Sequence, residues 1–173
     1  MLQSDSSRPK AIYYPQSARL SSIELQMLHG IQESIKSRQQ ITDRLDDPKM
    51  INGYMDDIQK IDDRLENLKT EEPPKGLALA DIDSFATAIE TIRADMGEVI
   101  ELFWLAVENT KEIKWTHDHP QSGEEDAIKI EKNKSLFSNK IKRCWQLLNH
   151  AEKIAIDSGV VDTTSQNTAE KAG

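Results

Sequence analysis

The stretch RCWQLLNH, residues 143–150, combines an arginine and a histidine at a spacing that could support acid–base chemistry on a phosphate ester. Arg143 and His150 are seven residues apart, so on one α-helix they lie almost two turns apart on the same flank. An arginine would stabilise the negative charge that develops on a scissile phosphate, and a histidine can transfer protons near neutral pH. The spacing therefore predicts a candidate catalytic pair.

This pair resembles the Arg-x4-6-His motif of the HEPN ribonucleases, which are all-helical domains, often dimeric, whose motifs converge across the dimer interface. The resemblance implies a metal-independent ribonuclease that uses Arg143 and His150. It covers these two positions and the helical class of the chain. The sequence departs from the family at Cys144, where a polar residue usually follows the arginine.

The same stretch also fits a packing role. Cys144 and Leu148 continue the apolar heptad stripe of a helix, and Arg143 and His150 flank that stripe. On this interpretation Arg143 extends to an acidic neighbour, and Cys144 is a small buried apolar residue.

A second candidate site is the motif HDHP, which supplies His117 and His119 with three acidic residues close behind at 124–126. Histidine and carboxylate side chains can bind zinc or another divalent ion. In a loop, alternate histidines point apart, and no CxxC or HExxH motif accompanies them, so a solvated loop is the alternative. The sequence also has no GxGxxG, GxxxxGK[ST] or GxSxG motif, and we expect no cofactor.

Composition limits the classes of function. The chain of 173 residues fits one domain, its charged fraction is 30%, and its formal net charge is −8, which disfavours non-specific binding of nucleic acid or of an anionic membrane. The single cysteine cannot form an internal disulfide, so a reducing, cytoplasmic location is expected. The N-terminal residues lack the long apolar core of a signal peptide or anchor.

Heptad spacing predicts an all-α domain of two antiparallel helical hairpins, forming a four-helix bundle with coiled-coil-type seams. The predicted helices span about 21–46, 48–70, 81–115 and 123–157, with a flexible segment 1–20 before them and a disordered tail 158–173 after them. Predicted boundary signals are capping boxes at Ser21/Glu24 and Ser122/Glu125, an N-cap at Asp81, and a C-terminal cap at Gly159.

Charge is distributed unevenly along these helices. Residues 84–126 carry three Lys/Arg against ten Asp/Glu, whereas residues 127–157 carry seven against three. The basic strip 129–143 either binds phosphate or pairs with the acidic residues of the third helix, which are Glu98, Glu101, Glu108 and Glu112.

The interpretation we favour is a non-enzymatic module that binds other proteins, as an adaptor, chaperone-like factor or accessory subunit, with a homodimer as the simplest case. The third helix is apolar around most of its circumference near its middle, which predicts either the centre of the bundle or a contact with another chain. On the interpretation we favour, the docking surface is at Ile100, Phe103, Trp104 and Val107. The acidic second helix would steer a basic partner through Asp56, Asp57, Asp62 and Asp63. A further alternative is an acidic inhibitor that occupies the nucleic-acid-binding site of another protein.

Overall fold

The protein is an all-α, bundle-like domain. The structure, a computed structural model, describes residues 19–36, 48–70 and 79–161, and within them four helices: α1 (Ser22–Lys36), α2 (Pro48–Thr70), α3 (Leu79–Asp118) and α4 (Gly123–Asp157). The part of the predicted first helix beyond Lys36 and most of both predicted tails lie outside these residues.

The antiparallel pair α3 and α4 has the most extensive contact in the domain, and α2 packs on α3 while α1 packs on α4. The predicted heptad stripes form the seam between these helices. On α3 the buried members of the stripe are Phe85, Ile89, Ile92, Met96, Val99, Phe103 and Ala106. On α4 they are Phe137, Ile141, Cys144, Leu148, Ala151 and Ala155. Ile113 and Ile130, which continue the same heptad spacing, are only half-buried near the hairpin tip.

The two shorter helices cover different parts of this long hairpin. The Tyr54 ring of α2 lies 6.0 Å from that of Phe103, and Asp62 contacts Arg93, so α2 runs along the first part of α3. On the other side, the Gln32 amide of α1 donates to Glu152 at 2.6 Å, and the Lys36 ammonium lies 5.6 Å from the Trp145 ring. α1 therefore covers the last part of α4, and it has few contacts with α2.

Local sequence signals account for several helix ends. The Ser21/Glu24 capping box is confirmed, because the Ser21 backbone N–H donates to the Glu24 carboxylate at 2.8 Å and the Glu24 N–H donates to the Ser21 hydroxyl at 3.2 Å. Gly159 follows α4 at a φ of +75°, as its predicted cap role requires.

Two other predicted caps are wrong. Ser122 is the N-cap of α4 by its backbone but makes no side-chain capping bond, and Asp126 rather than Glu125 accepts from the backbone N–H groups of Gln121 and Ser122. Asp81 lies inside α3, which begins two residues earlier, at Leu79. That helix also continues to Asp118, beyond the predicted end.

Residues assigned by sequence to the flexible tails close one end of the bundle. Leu20 is buried, and its backbone N–H donates to the Val160 carbonyl at 2.7 Å. The Arg19 guanidinium donates to the Gly159 carbonyl at 2.9 Å, while Arg64 of α2 donates to the Arg19 carbonyl at 3.3 Å. The domain therefore extends past both predicted limits, because these apolar and backbone groups complete the core at this end.

Among the helices that the structure describes, none combines the length and the apolar character needed to cross a membrane.

Packing on α1 can be tested with two residues of the same helix. Leu28 is 2% exposed and Ile23 is 68% exposed. We expect Leu28→Ala to lower the free energy of unfolding by about 2–5 kcal/mol, because it leaves a cavity in the core. Ile23→Ala should change it by no more than about 0.5 kcal/mol. Urea unfolding followed by circular dichroism measures both, and equal effects would contradict the packing of α1.

The single thiol provides a second test of the core. Cys144 is fully buried, and burial raises the pKa of its thiol, so little thiolate forms even at mildly alkaline pH. We expect the native protein to react with Ellman's reagent at least about a hundredfold more slowly than the urea-unfolded chain, and the unfolded chain to release one equivalent per mole. Fast reaction of the native protein at neutral pH would contradict this placement.

Candidate functional site

Arg143 and His150 lie on the flank of α4 that faces α3, and each contacts an acidic residue there. The Arg143 Nε donates to the Glu98 carboxylate at 3.3 Å. The His150 Nδ1 lies 2.7 Å from the Asp95 Oδ2, so the tautomer with a proton on Nδ1 donates to that carboxylate. The interpretation that Arg143 extends to an acidic neighbour is thus confirmed.

These contacts set the electrostatics at the candidate catalytic pair. Asp95 is largely buried, whereas Glu98 and both basic side chains are about half exposed. A carboxylate can hold a catalytic histidine in one orientation, which Asp95 would do for His150. A phosphate placed between Arg143 and His150, however, would lie near two carboxylates that repel it. The ribonuclease hypothesis stays a prediction.

The histidines of the HDHP motif point to separate environments at the end of α3. The His117 Nδ1 lies 3.7 Å from the Asp118 carboxylate, and its side chain is highly exposed. The His119 ring stacks on Trp115 with centroids 4.5 Å apart, and its Nδ1 lies 3.0 Å from the Trp115 carbonyl oxygen. Among the described residues, no group of three or more His, Cys, Asp or Glu side chains is placed to hold a metal ion.

The predicted docking residues of α3 are divided between core and surface. Phe103 and Val107 are buried within the chain, because Phe103 packs against Tyr54 of α2. Ile100 is half-buried, and Trp104 is 56% exposed. Trp104 is therefore accessible to a partner, whereas Phe103 and Val107 are not.

The acidic residues of α2 are also divided. Asp62 accepts from the Arg93 guanidinium at 3.1 Å, and this hydrogen bond raises the Arg93 pKa. Asp63 accepts from Gln59 of its own helix at 2.9 Å. Asp56 is exposed and Asp57 half-buried. Asp62 thus helps hold α2 to α3, and steering of a basic partner by this helix stays a prediction.

Part of the basic strip pairs with α3. Besides the Arg143–Glu98 contact, the Lys129 ammonium lies 3.4 Å from the Glu112 carboxylate. Lys140 has a neutral partner, donating to the Asn109 amide oxygen at 2.8 Å, and burial lowers its pKa. Complementarity between the two helices thus accounts for the inward side of the strip.

The solvent-facing side of the α3–α4 hairpin carries a surface that the sequence analysis did not identify, and we call it the outer face. Its residues on α3 follow a second heptad spacing: Glu101, Leu105, Glu108, Glu112 and Trp115. Its residues on α4 are Ile128, Lys132, Leu136, Asn139 and Arg143. All are exposed except Glu112, which is half-buried. The spacing of 3 and 4 residues was available in the sequence, but it lay beside the stronger core stripe.

The register of the hairpin places apolar residues together at the centre of the outer face. Leu105 lies seven residues from both Glu98 and Glu112, and Leu136 lies seven residues from both of their partners, Arg143 and Lys129. Leu105 and Leu136 are therefore opposite each other, midway between two ion pairs. They remain 45% and 39% exposed, and Trp115 and Ile128 add 48% and 64% exposed side chains toward the tip.

Comparison of the chain with protein-family models, with curated proteins and with solved structures finds no match. The arrangement of the described side chains is therefore the basis on which a function can be proposed.

Proposed function

We propose that the protein is a non-enzymatic, cytoplasmic module that binds protein partners through the outer face of the α3–α4 hairpin. The observation that carries the proposal is the set of large apolar side chains exposed there, Leu105, Trp115, Ile128 and Leu136. Apolar side chains grouped on one face and bordered by charges are typical of a protein-binding surface.

The support comes from grouping rather than from exposure alone. Single exposed apolar residues are common on any protein, and Ile23 on α1 is one. The four outer-face residues instead lie on two adjacent helices in one register, with ion pairs above and below the central pair. A partner helix laid along this face would cover apolar side chains at its centre and charged groups at its edges.

The thiol supports the cytoplasmic part of the proposal. Cys144 is a free cysteine buried in the core, which suits a reducing compartment because no disulfide is needed for the fold.

Photo-cross-linking tests the proposal in cells of the source organism. We expect p-benzoyl-phenylalanine in place of Leu136 to form covalent adducts larger than the chain after irradiation, because a bound partner lies against that position. The same probe in place of Ile23 is the matched control, since Ile23 is also apolar and is more exposed than Leu136, but lies on α1. If both positions gave the same adducts, or neither gave any, the proposed function would fail.

The second candidate function is the metal-independent ribonuclease, favoured by one specific observation: the 2.7 Å contact through which Asp95 would orient His150. The competing observation is that Glu98 partly neutralises Arg143, the group that would bind the phosphate.

We expect purified protein to leave single-stranded RNA intact during prolonged incubation without added metal, because Asp95 and Glu98 repel the phosphate. Gel electrophoresis of labelled RNA is the measurement. Cleavage that disappeared in both Arg143→Ala and His150→Ala but persisted in His29→Ala would support the ribonuclease and contradict this expectation.

A further inference from the structure

We propose that the occupant of the outer face is a second copy of this chain, related by a two-fold axis that runs parallel to α3 and α4. The inference rests on the proposed function, and it names the partner and the geometry. It depends on the segregation of charge across the face, since the acidic residues lie on α3 and the basic residues on α4.

Two face-to-face arrangements are possible for a pair of identical two-helix layers. If the two-fold axis runs parallel to the helices, α3 of each copy lies over α4 of the other. If it runs perpendicular to the helices in the plane of the layers, α3 lies over α3 and α4 over α4. The first arrangement opposes acidic and basic helices twice, whereas the second opposes like charges twice, which is strongly unfavourable.

Register supports the parallel axis. Rotation about an axis parallel to the helices does not change the position of any residue along that axis. Two residues that lie at the same position along the axis in one chain, one on α3 and one on α4, therefore also lie opposite each other when they belong to different copies. The intrachain pairs Glu98–Arg143 and Glu112–Lys129 define those levels. Leu105 of one copy then lies over Leu136 of the other, and Trp115 lies near the level of Ile128.

The remaining charges follow the same rule. Glu108 and Lys132 share a level with each other, and both are exposed. Within one chain the Glu108 carboxylate pairs with the neighbouring Lys111 at 3.4 Å, an exposed ion pair of little energetic value. Lys132 makes no ion pair with any residue that the structure describes. Between copies they would form two equivalent ion pairs that border the apolar centre.

The available surface is large enough. The shorter helix of the hairpin, α4, has 35 residues and is about 50 Å long, and two packed helices are about 20 Å wide, so one side of the whole hairpin covers about 1,000 Å². A stable interface buries roughly 800 Å² per partner, so a contact that continues from the outer-face residues along the hairpin is sufficient. The apolar side chains lie toward the tip, where Trp115 and Ile128 extend the contact beyond Leu105 and Leu136.

Sedimentation equilibrium of the purified full chain tests whether it forms a dimer. We expect a mass of twice 19.6 kDa at micromolar concentration. The combined substitutions Leu105→Lys and Leu136→Lys should give a monomer, and Ile23→Lys, the matched exposed control, should remain a dimer. Circular dichroism checks that each variant keeps its helical content. A wild-type monomer at 100 μM, or a dimer unaffected by the leucine substitutions, would overturn the proposal.

A charge exchange tests the axis. We expect Glu108→Lys alone and Lys132→Glu alone each to weaken self-association at least about tenfold, because each creates two like-charge pairs. Mixing the two variants should restore the dimer, since one interchain pair of the mixed dimer joins the two substituted positions, Glu108→Lys and Lys132→Glu, and the other joins the unchanged Lys132 and Glu108. Failure to recover in the mixture, or tighter association of Glu108→Lys alone, would exclude the parallel axis.

The two proposals fail separately. If the chain is monomeric but the probe at position 136 captures a different protein and the probe at 23 does not, the proposed function stands and the second copy is wrong. If neither experiment gives an outer-face complex, both fail.

Discussion

The fixed register of α3 against α4 is the constraint on which the rest of the structure depends. Heptad stripes of apolar residues bring two helices together, but they permit a slip of seven residues, because apolar groups would still meet apolar groups. A polar cluster in this seam opposes such a slip. Asn109 is 9% exposed, accepts from Lys140 and donates to Asn133 at 3.0 Å. In another register these buried polar groups would lose their partners, which is costly.

The same register arranges the flanks and the ends of the bundle. The Asp95–His150 and Glu98–Arg143 contacts form only when the helices are aligned in this way. The alignment also sets where α4 ends, and therefore where Gly159 and Val160 meet Arg19 and Leu20. The α3–α4 register thus helps to place the residues after α4 at the end of the bundle where they contact the residues before α1.

The sequence was sufficient to predict features that depend on a few neighbouring residues, such as helix caps, or on the dominant heptad spacing of apolar residues. The Ser21/Glu24 capping box is such a case, since the two groups are three residues apart and need no tertiary contact. The α2 bounds are another. The prediction from sequence was wrong at Ser122, where Asp126, the residue after Glu125, accepts from the backbone N–H groups of Gln121 and Ser122.

The division of the apolar middle of α3 could not be predicted in the same way. Phe103 and Trp104 are adjacent, both aromatic and both compatible with burial, so the pattern alone could not assign one to the core and the other to solvent. The assignment depends on which flank α2 covers, and that is shown by the Tyr54–Phe103 contact. Asp95 was similarly missed as the partner of His150, because the two residues are 55 positions apart in the chain and their pairing requires the register of α3 against α4.

Charge segregation connects the folding of the hairpin with the surface it presents. An acidic α3 beside a basic α4 stabilises the antiparallel pair only modestly, since exposed ion pairs contribute about 0.2–1 kcal/mol each. The same segregation has a larger effect on which surfaces can meet, because opposed like charges across an interface are costly while opposed unlike charges are tolerated. The outer face is complementary to itself in one orientation only. If the proposed contact forms, its charges would contribute more to the choice and orientation of the partner than to the stability of the fold, and the exposed leucines at its centre would supply the area that makes the contact favourable.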